Sequence, residues 1–131
     1  MDGSLDNSLS VITDDGCEQE LLVNLFFRKG RDLLPADQAA LALCRGRVLD
    51  MGAGAGALAL PLQELGHEVT ALDILPGAVV VLRARGVRDA QLGDIWAFRP
   101  DCPYDTVLAL MNGTAAAGTL AGLVPLLRAL S

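Results

Sequence analysis

The sequence predicts an α/β domain, a short parallel sheet with helices on its faces. Three observations carry this. A short apolar run, Val48 to Met51, stops in a loop with glycine at 52, 54 and 56. A stretch of helix length follows, bearing Leu58, Leu60, Leu62 and Leu65, and ends at Gly66. A second run, Glu68 to Asp73, then ends on an acid. Strand, glycine loop, helix, strand and acid make one right-handed crossover unit of a nucleotide-binding sheet.

The other elements are read in chain order. Residues 1–16 carry Asp, Asn, Ser and Gly with little periodicity, which predicts a mobile arm ahead of a domain over 17–131. Glu18 to Lys29 places Leu21, Leu22, Leu25 and Phe26 at helical spacing, with Gly30 ending the helix. Pro35 opens a second short helix, Ala36 to Cys44, closed by Arg45-Gly46. Pro61 falls near the first turn of the helix after the glycine loop, where its missing N–H costs least. Pro76 opens a helix over Gly77 to Arg85, and Gly86 ends it. Ala90 to Gly93 reads as a third strand, with Trp96 and Phe98 packed under the loop that follows. Tyr104 to Met111 is almost continuously apolar, as a strand buried on both faces should be. A last helix, Ala115 to Leu130, puts Leu120, Leu123, Leu127 and Leu130 on one face.

Composition narrows the function. The 131 residues suffice for one domain with a real core, and 52% are hydrophobic although only 4% are aromatic. Sixteen acids against ten basic residues leave a net charge of −6, which argues against nucleic acid as a partner. Arg28, Lys29 and Arg31 form the one basic knot, read as a solvated helix end with substrate contact as the alternative. Cys17, Cys44 and Cys102 are far apart and odd in number, without metal-ligand spacing, which suits a reducing, cytoplasmic setting. Thr106 to Leu127 is uncharged and long enough to span a bilayer, yet Asn112-Gly113, Gly118, Gly122 and Pro125 break it. No membrane span is expected.

The glycines have a mechanical role. Without Cβ they let the chain turn sharply and let a ligand lie on Gly52, Ala53, Gly54 and Gly56. Asp73, 19 residues past Gly54, stands where an acid reaches the hydroxyls of a ribose. A dinucleotide and S-adenosylmethionine both fit this outline. Asp50 favours the second, because a carboxylate beside the loop repels a pyrophosphate and attracts an ammonium or sulfonium. Ile74, next to the ribose acid, offers an apolar surface to an adenine. His67 is the only histidine, but it falls in the turn at the amino end of the sheet, away from the ligand end.

With V-L-D-M-G-A-G-A-G at 48–56, G-H-E-V-T-A-L-D at 66–73, L-G-D-I at 92–95 and Y-D-T-V-L-A-L-M-N-G at 104–113, the chain resembles the class I, Rossmann-like methyltransferases. The resemblance covers residues 20 to 131. It implies a four-stranded core of order 3-2-1-4 that lacks the family's last three strands. It also implies that Asp94 accepts a hydrogen bond from the adenine 6-amino group, with Ile95 beside it. Met111 and Asn112 would meet the methionine part of the cofactor, and Asn112 the acceptor. The implied reaction is methyl transfer to a small molecule; a cofactor-binding module without catalysis, a truncated half-domain and a dinucleotide-binding domain are the alternatives. No general base stands out. The fourth strand would keep an apolar, unpaired edge, so a homodimer through that edge or the last helix is expected.

Overall fold

The computed structural model describes residues 7–111 and 113–130. Four parallel strands form its sheet: β3 (Arg47–Met51), β4 (Glu68–Asp73), β5 (Asp89–Leu92) and β6 (Thr106–Leu108). Their spatial order is β5-β4-β3-β6. Counted within this sheet alone, that is 3-2-1-4. Asp50 pairs in register with Ala71 on one side and Leu108 on the other, so β3 is central and β6 lies at an edge.

Strand alternation divides the core. Val48 of β3, Val69 and Ala71 of β4, Ala90 of β5 and Leu108 of β6 share one buried cluster. Helices α2 (Ala59–Glu64) and α3 (Pro76–Ala84) add Ala59, Leu62, Val79 and Leu82 to it. Leu62, Leu82 and Val48 are wholly enclosed, and each buried side chain of this size contributes about 1.5–3 kcal/mol. On the opposite face, Leu49 and Val107 border a groove with Phe98, Tyr104 and the end of α4 (Leu120–Ala129). Helix α1 (Pro35–Leu43) precedes the sheet.

Four expectations are corrected. Glu18 to Lys29 is not a helix: β2 (Glu18–Leu22) pairs antiparallel with β1 (Ser8–Ile12), and a 3-10 turn follows over Val23–Phe27. The arm expected over 1–16 thus contains a strand, while residues 1–6 lie outside the described ones. The turn between the strands explains it. Gly16 takes φ +81° and its N–H donates to the Thr13 carbonyl, while Asp15 accepts from the Cys17 N–H. That local closure sets strand against strand, and Leu21 and Leu22 then alternate between faces of the hairpin.

The fourth strand is shorter than Tyr104 to Met111. It stops at Leu108, where its partner β3 has one residue left, and the Gly113 N–H closes a turn onto the Leu110 carbonyl. The last helix is also divided. A 3-10 turn (Gly113–Ala117) ends where Gly118 adopts φ +69°, and Thr119 caps α4 by accepting the Gly122 N–H at 3.1 Å. The helices at 36–44 and 77–85 and the strand at 90–93 are each displaced by one residue, the usual scatter at element ends.

Candidate functional site

The carboxyl ends of the strands gather the residues singled out in the sequence. After β3 the chain enters the glycine loop, where Gly52, Gly54 and Gly56 all take positive φ. The Gly52 and Ala53 N–H groups both donate to the Leu72 carbonyl, at 2.8 and 3.2 Å. A Cβ on Gly52 would meet nothing within 4 Å, so the backbone there is open to a ligand. Gly56 serves packing instead: a Cβ would come within 3.0 Å of Leu82 and 3.3 Å of Val87. Behind the loop, Arg85 donates to the Ala55 carbonyl and lies 5.0 Å over the Phe27 ring.

Asp73 is buried at the end of β4. Its Oδ2 accepts the Gly54 N–H at 2.9 Å and its Oδ1 accepts the Leu75 N–H at 2.9 Å. Asp73 and the glycine loop are therefore one unit. Beside them lies a cavity of about 390 Å³, lined by Met51 and Gly52 at the end of β3 and by Asp73 and Ile74 at the end of β4. Gly93, Asp94, Ile95 and Trp96 after β5, and Gly113 and Ala116 after β6, complete its wall. Ile74 is 63% exposed, an aliphatic side chain left uncovered at the ligand end.

Asp94 is exposed, and its Oδ1 accepts the Trp96 N–H at 3.0 Å. Trp96 is a residue that the sequence reading missed. Expected beneath the loop, it is 40% exposed and stands in the cavity wall, its indole N–H donating to the Ala116 carbonyl at 2.9 Å. Phe98 does pack there, against Tyr104 with ring centroids 6.4 Å apart.

A second, smaller cleft of about 90 Å³ adjoins the loop on the other side of Gly52. Asp50, Gly52, Ala53, Gly54, Phe26, Arg28 and Met111 border it. Asp50 is enclosed, and burial pushes its carboxyl up to about 7 despite the Ala59 N–H that it accepts. Asp73 nearby adds to the rise and Arg28 opposes it. Met111 holds φ +51°, a left-handed conformation rare outside glycine and a recurrent feature of ligand sites. Asn112 lies outside the described residues.

Arg28 is not a solvated helix end. Its Nε and Nη2 reach the Asp37 carboxylate at 2.5 and 2.8 Å, and Nη1 donates to the Leu25 carbonyl at 2.6 Å. Asp37 also accepts the Leu34 N–H at 2.9 Å, tying the start of α1 to the turn that carries Phe26. The Arg28 guanidinium holds the Asp37 carboxyl below its usual range, burial opposing. The sequence held one signal: the basic knot lies near Asp37, an acid in the first turn of a helix.

His67 lies at the far pole. Its Nδ1 is 3.0 Å from the Gly46 carbonyl, at the amino end of β3. Among the described residues no cluster of His, Cys, Asp and Glu has the arrangement to hold a metal ion.

An open glycine cradle, an acid at the end of the neighbouring strand and an apolar cavity across the carboxyl ends define a class I, Rossmann-like methyltransferase core. Residues 49–111 match the family model described as a methyltransferase domain. A methyltransferase from Bacteroides fragilis, solved with S-adenosylhomocysteine, is 40% identical and superimposes with a TM-score of 0.79 over 94% of this chain and 50% of its own. Ubiquinone biosynthesis O-methyltransferase from Xanthomonas oryzae pv. oryzae is 42% identical over 52 residues, 40% of this chain and 22% of that protein. The same enzyme from Methylocella silvestris is 38% identical over 84 residues, 59% of this chain and 33% of that protein. The chain thus spans half the length of its solved relative and a third or less of these curated ones.

Proposed function

We propose that this chain binds S-adenosylmethionine and transfers its methyl group to a small-molecule acceptor. The observation that carries the reading is the bond between Asp73 and Gly54, which places a carboxylate and an open glycine backbone around one cavity. The family match and a relative solved with S-adenosylhomocysteine support it. The residues suit the cofactor's parts. Asp73 faces the ribose, Ile74 and Ile95 line the adenine space, and Asp94 keeps its second carboxylate oxygen for the 6-amino group. Asp50, Gly52, Ala53, Gly54 and Met111 border the smaller cleft, where the charged methionine part belongs.

When bound, the cofactor supplies a methyl carbon on a positively charged sulfur, an electrophile that needs no further activation. The chain's part is alignment and exclusion of water. Asp50 offers an opposite charge in an enclosed place, and the glycine loop fixes the position of the bound molecule. Asp50, Gly52, Ala53, Gly54 and Met111 would hold the methionine part of the bound cofactor, so that an acceptor in line with its methyl group would need no further activation from the chain. The three free thiols, Cys17, Cys44 and Cys102, suit a reducing compartment such as the cytoplasm. We further propose a homodimer through the β6 edge and α4.

Calorimetric titration with S-adenosylhomocysteine and with NAD tests the cofactor. Tight binding of the first and none of the second is expected; tighter binding of NAD would overturn the reading. A methyl-acceptor screen then separates an enzyme from a binding module.

A further inference from the structure

Strands β5 and β6 are opposite edges of the sheet, with β4 and β3 between them. Three interstrand steps separate them, roughly 14 Å. Yet the loop after β5 touches the turn after β6 directly, through the Trp96 indole N–H and the Ala116 carbonyl at 2.9 Å. This bond closes a ring over the carboxyl ends of the two central strands. The cavity lies inside that ring, with Trp96 and Ala116 both in its wall.

The two sides of the contact are held differently. The Trp96 backbone is fixed at both ends: its N–H donates to Asp94, and its carbonyl accepts from Arg99 at 3.0 Å. Ala97 and Phe98 donate to the Asp94 carbonyl at 3.0 and 2.8 Å, completing a tight turn. The Gly113–Ala117 turn is the looser side. Apart from Trp96, its hydrogen bonds among the described residues stay between Leu110 and Thr119. A 40% exposed indole whose single donor is spent across the cavity does little for the core.

We propose that Trp96 is a positioning residue, a clasp that closes the Gly113–Ala117 turn over the bound cofactor and slows its release. The inference rests on the cofactor reading above and adds to it a residue and a gate.

Trp96 is the single tryptophan, so its emission and its indole N–H signal report on this place alone. Titration of the full chain with S-adenosylhomocysteine should shift the emission and slow exchange of the indole N–H. Trp96→Phe keeps a ring and loses the donor. It should release S-adenosylhomocysteine about three- to tenfold faster, the worth of one neutral hydrogen bond. A purely structural role would lower the ligand-free melting temperature and leave the release rate alone. The clasp is overturned if wild type binds S-adenosylhomocysteine with unchanged emission and Trp96→Phe releases it at the wild-type rate. Should Trp96→Phe fold poorly, indole N–H protection in the wild type decides. A wild type that binds no S-adenosylhomocysteine overturns the cofactor reading, and the clasp with it.

Discussion

The Asp73 carboxylate accepts the Gly54 N–H at 2.9 Å, joining the end of one strand to the glycine loop after its neighbour. Gly54 is at φ +57°, so its N–H points where few other residues would present it. With Leu75 on the other oxygen, the side chain has one orientation before any ligand arrives. Preorganisation of this kind lowers the ordering cost of binding.

Asp73→Asn tests that unit. The amide keeps the shape but loses the charge, and one of its two ends can no longer accept. Affinity for S-adenosylhomocysteine should fall by about 1.5–3 kcal/mol, the range for hydrogen bonds to a charged group. Calorimetry measures it directly. Unchanged affinity would remove Asp73 from the ribose site.

Asp50 makes binding depend on pH. Its carboxyl, raised by burial to about 7, is protonated in the folded chain at pH 6 and ionised in the unfolded chain. The folded state therefore binds more protons between about pH 4 and 7, and this group's contribution to stability falls as pH rises through that window. A cationic ligand acts in the opposite direction by favouring the carboxylate. S-adenosylmethionine should bind more tightly as pH rises from 6 to 7.5 and release a proton at the lower end. Titrations in buffers of different ionisation heat show that proton. Asp50→Asn should abolish both effects; a pH-independent affinity in wild type would place the cofactor's charge elsewhere.

The Arg28–Asp37 pair holds the segment bearing Phe26 against the site. Both side chains are buried, so Asp37→Ala leaves an unpaired cation and should cost about 3–5 kcal/mol. Replacing the pair together, Arg28→Met with Asp37→Leu, should recover much of that loss. Because the Asp37 carboxyl is lowered, its contribution is present above its ordinary range and is lost as pH falls through the folded value. Chemical denaturation of the three variants decides; equal stability of wild type and Asp37→Ala would make the pair incidental.

What could be read in the sequence is what local constraint writes there. Glycines 52, 54 and 56 need left-handed backbone, and the acids at 50, 73 and 94 stand at or within two residues of strand ends, so one crossover unit announced itself. The hairpin over Ser8–Leu22 did not, because Leu21, Leu22, Leu25 and Phe26 satisfy a helical period as well as two strand faces and a turn. Its deciding feature is the closure at Thr13–Cys17, which no periodicity records. Trp96 escaped for another reason. Its partner is a backbone carbonyl 20 residues away, and a backbone partner leaves no trace in residue type. For the burial of Arg28 the sequence held only the nearness of Asp37, and the fold is what brings the two side chains together.

The assembly proposal can be tested on α4 rather than on the strand. Among the described residues β6 pairs with β3 alone, so its outer edge has no strand beside it. On α4, Leu120 is 91% exposed, and Val124 and Leu127, four and seven residues on, are more than half exposed. That spacing puts the three on one helix face, while Leu126 is buried on another. A second copy covering this face and the β6 edge should bury at least about 1,000 Å² in total. Leu108→Lys would be a poor probe, because Leu108 is part of the core and its loss would unfold the chain. Leu120→Lys with Val124→Glu changes only exposed positions and should leave the melting temperature of the monomer nearly intact. Sedimentation of wild type at micromolar concentration should give a dimer, and the double variant a monomer. A wild type that sediments as a monomer, with no loss of stability on dilution, would sink the proposal.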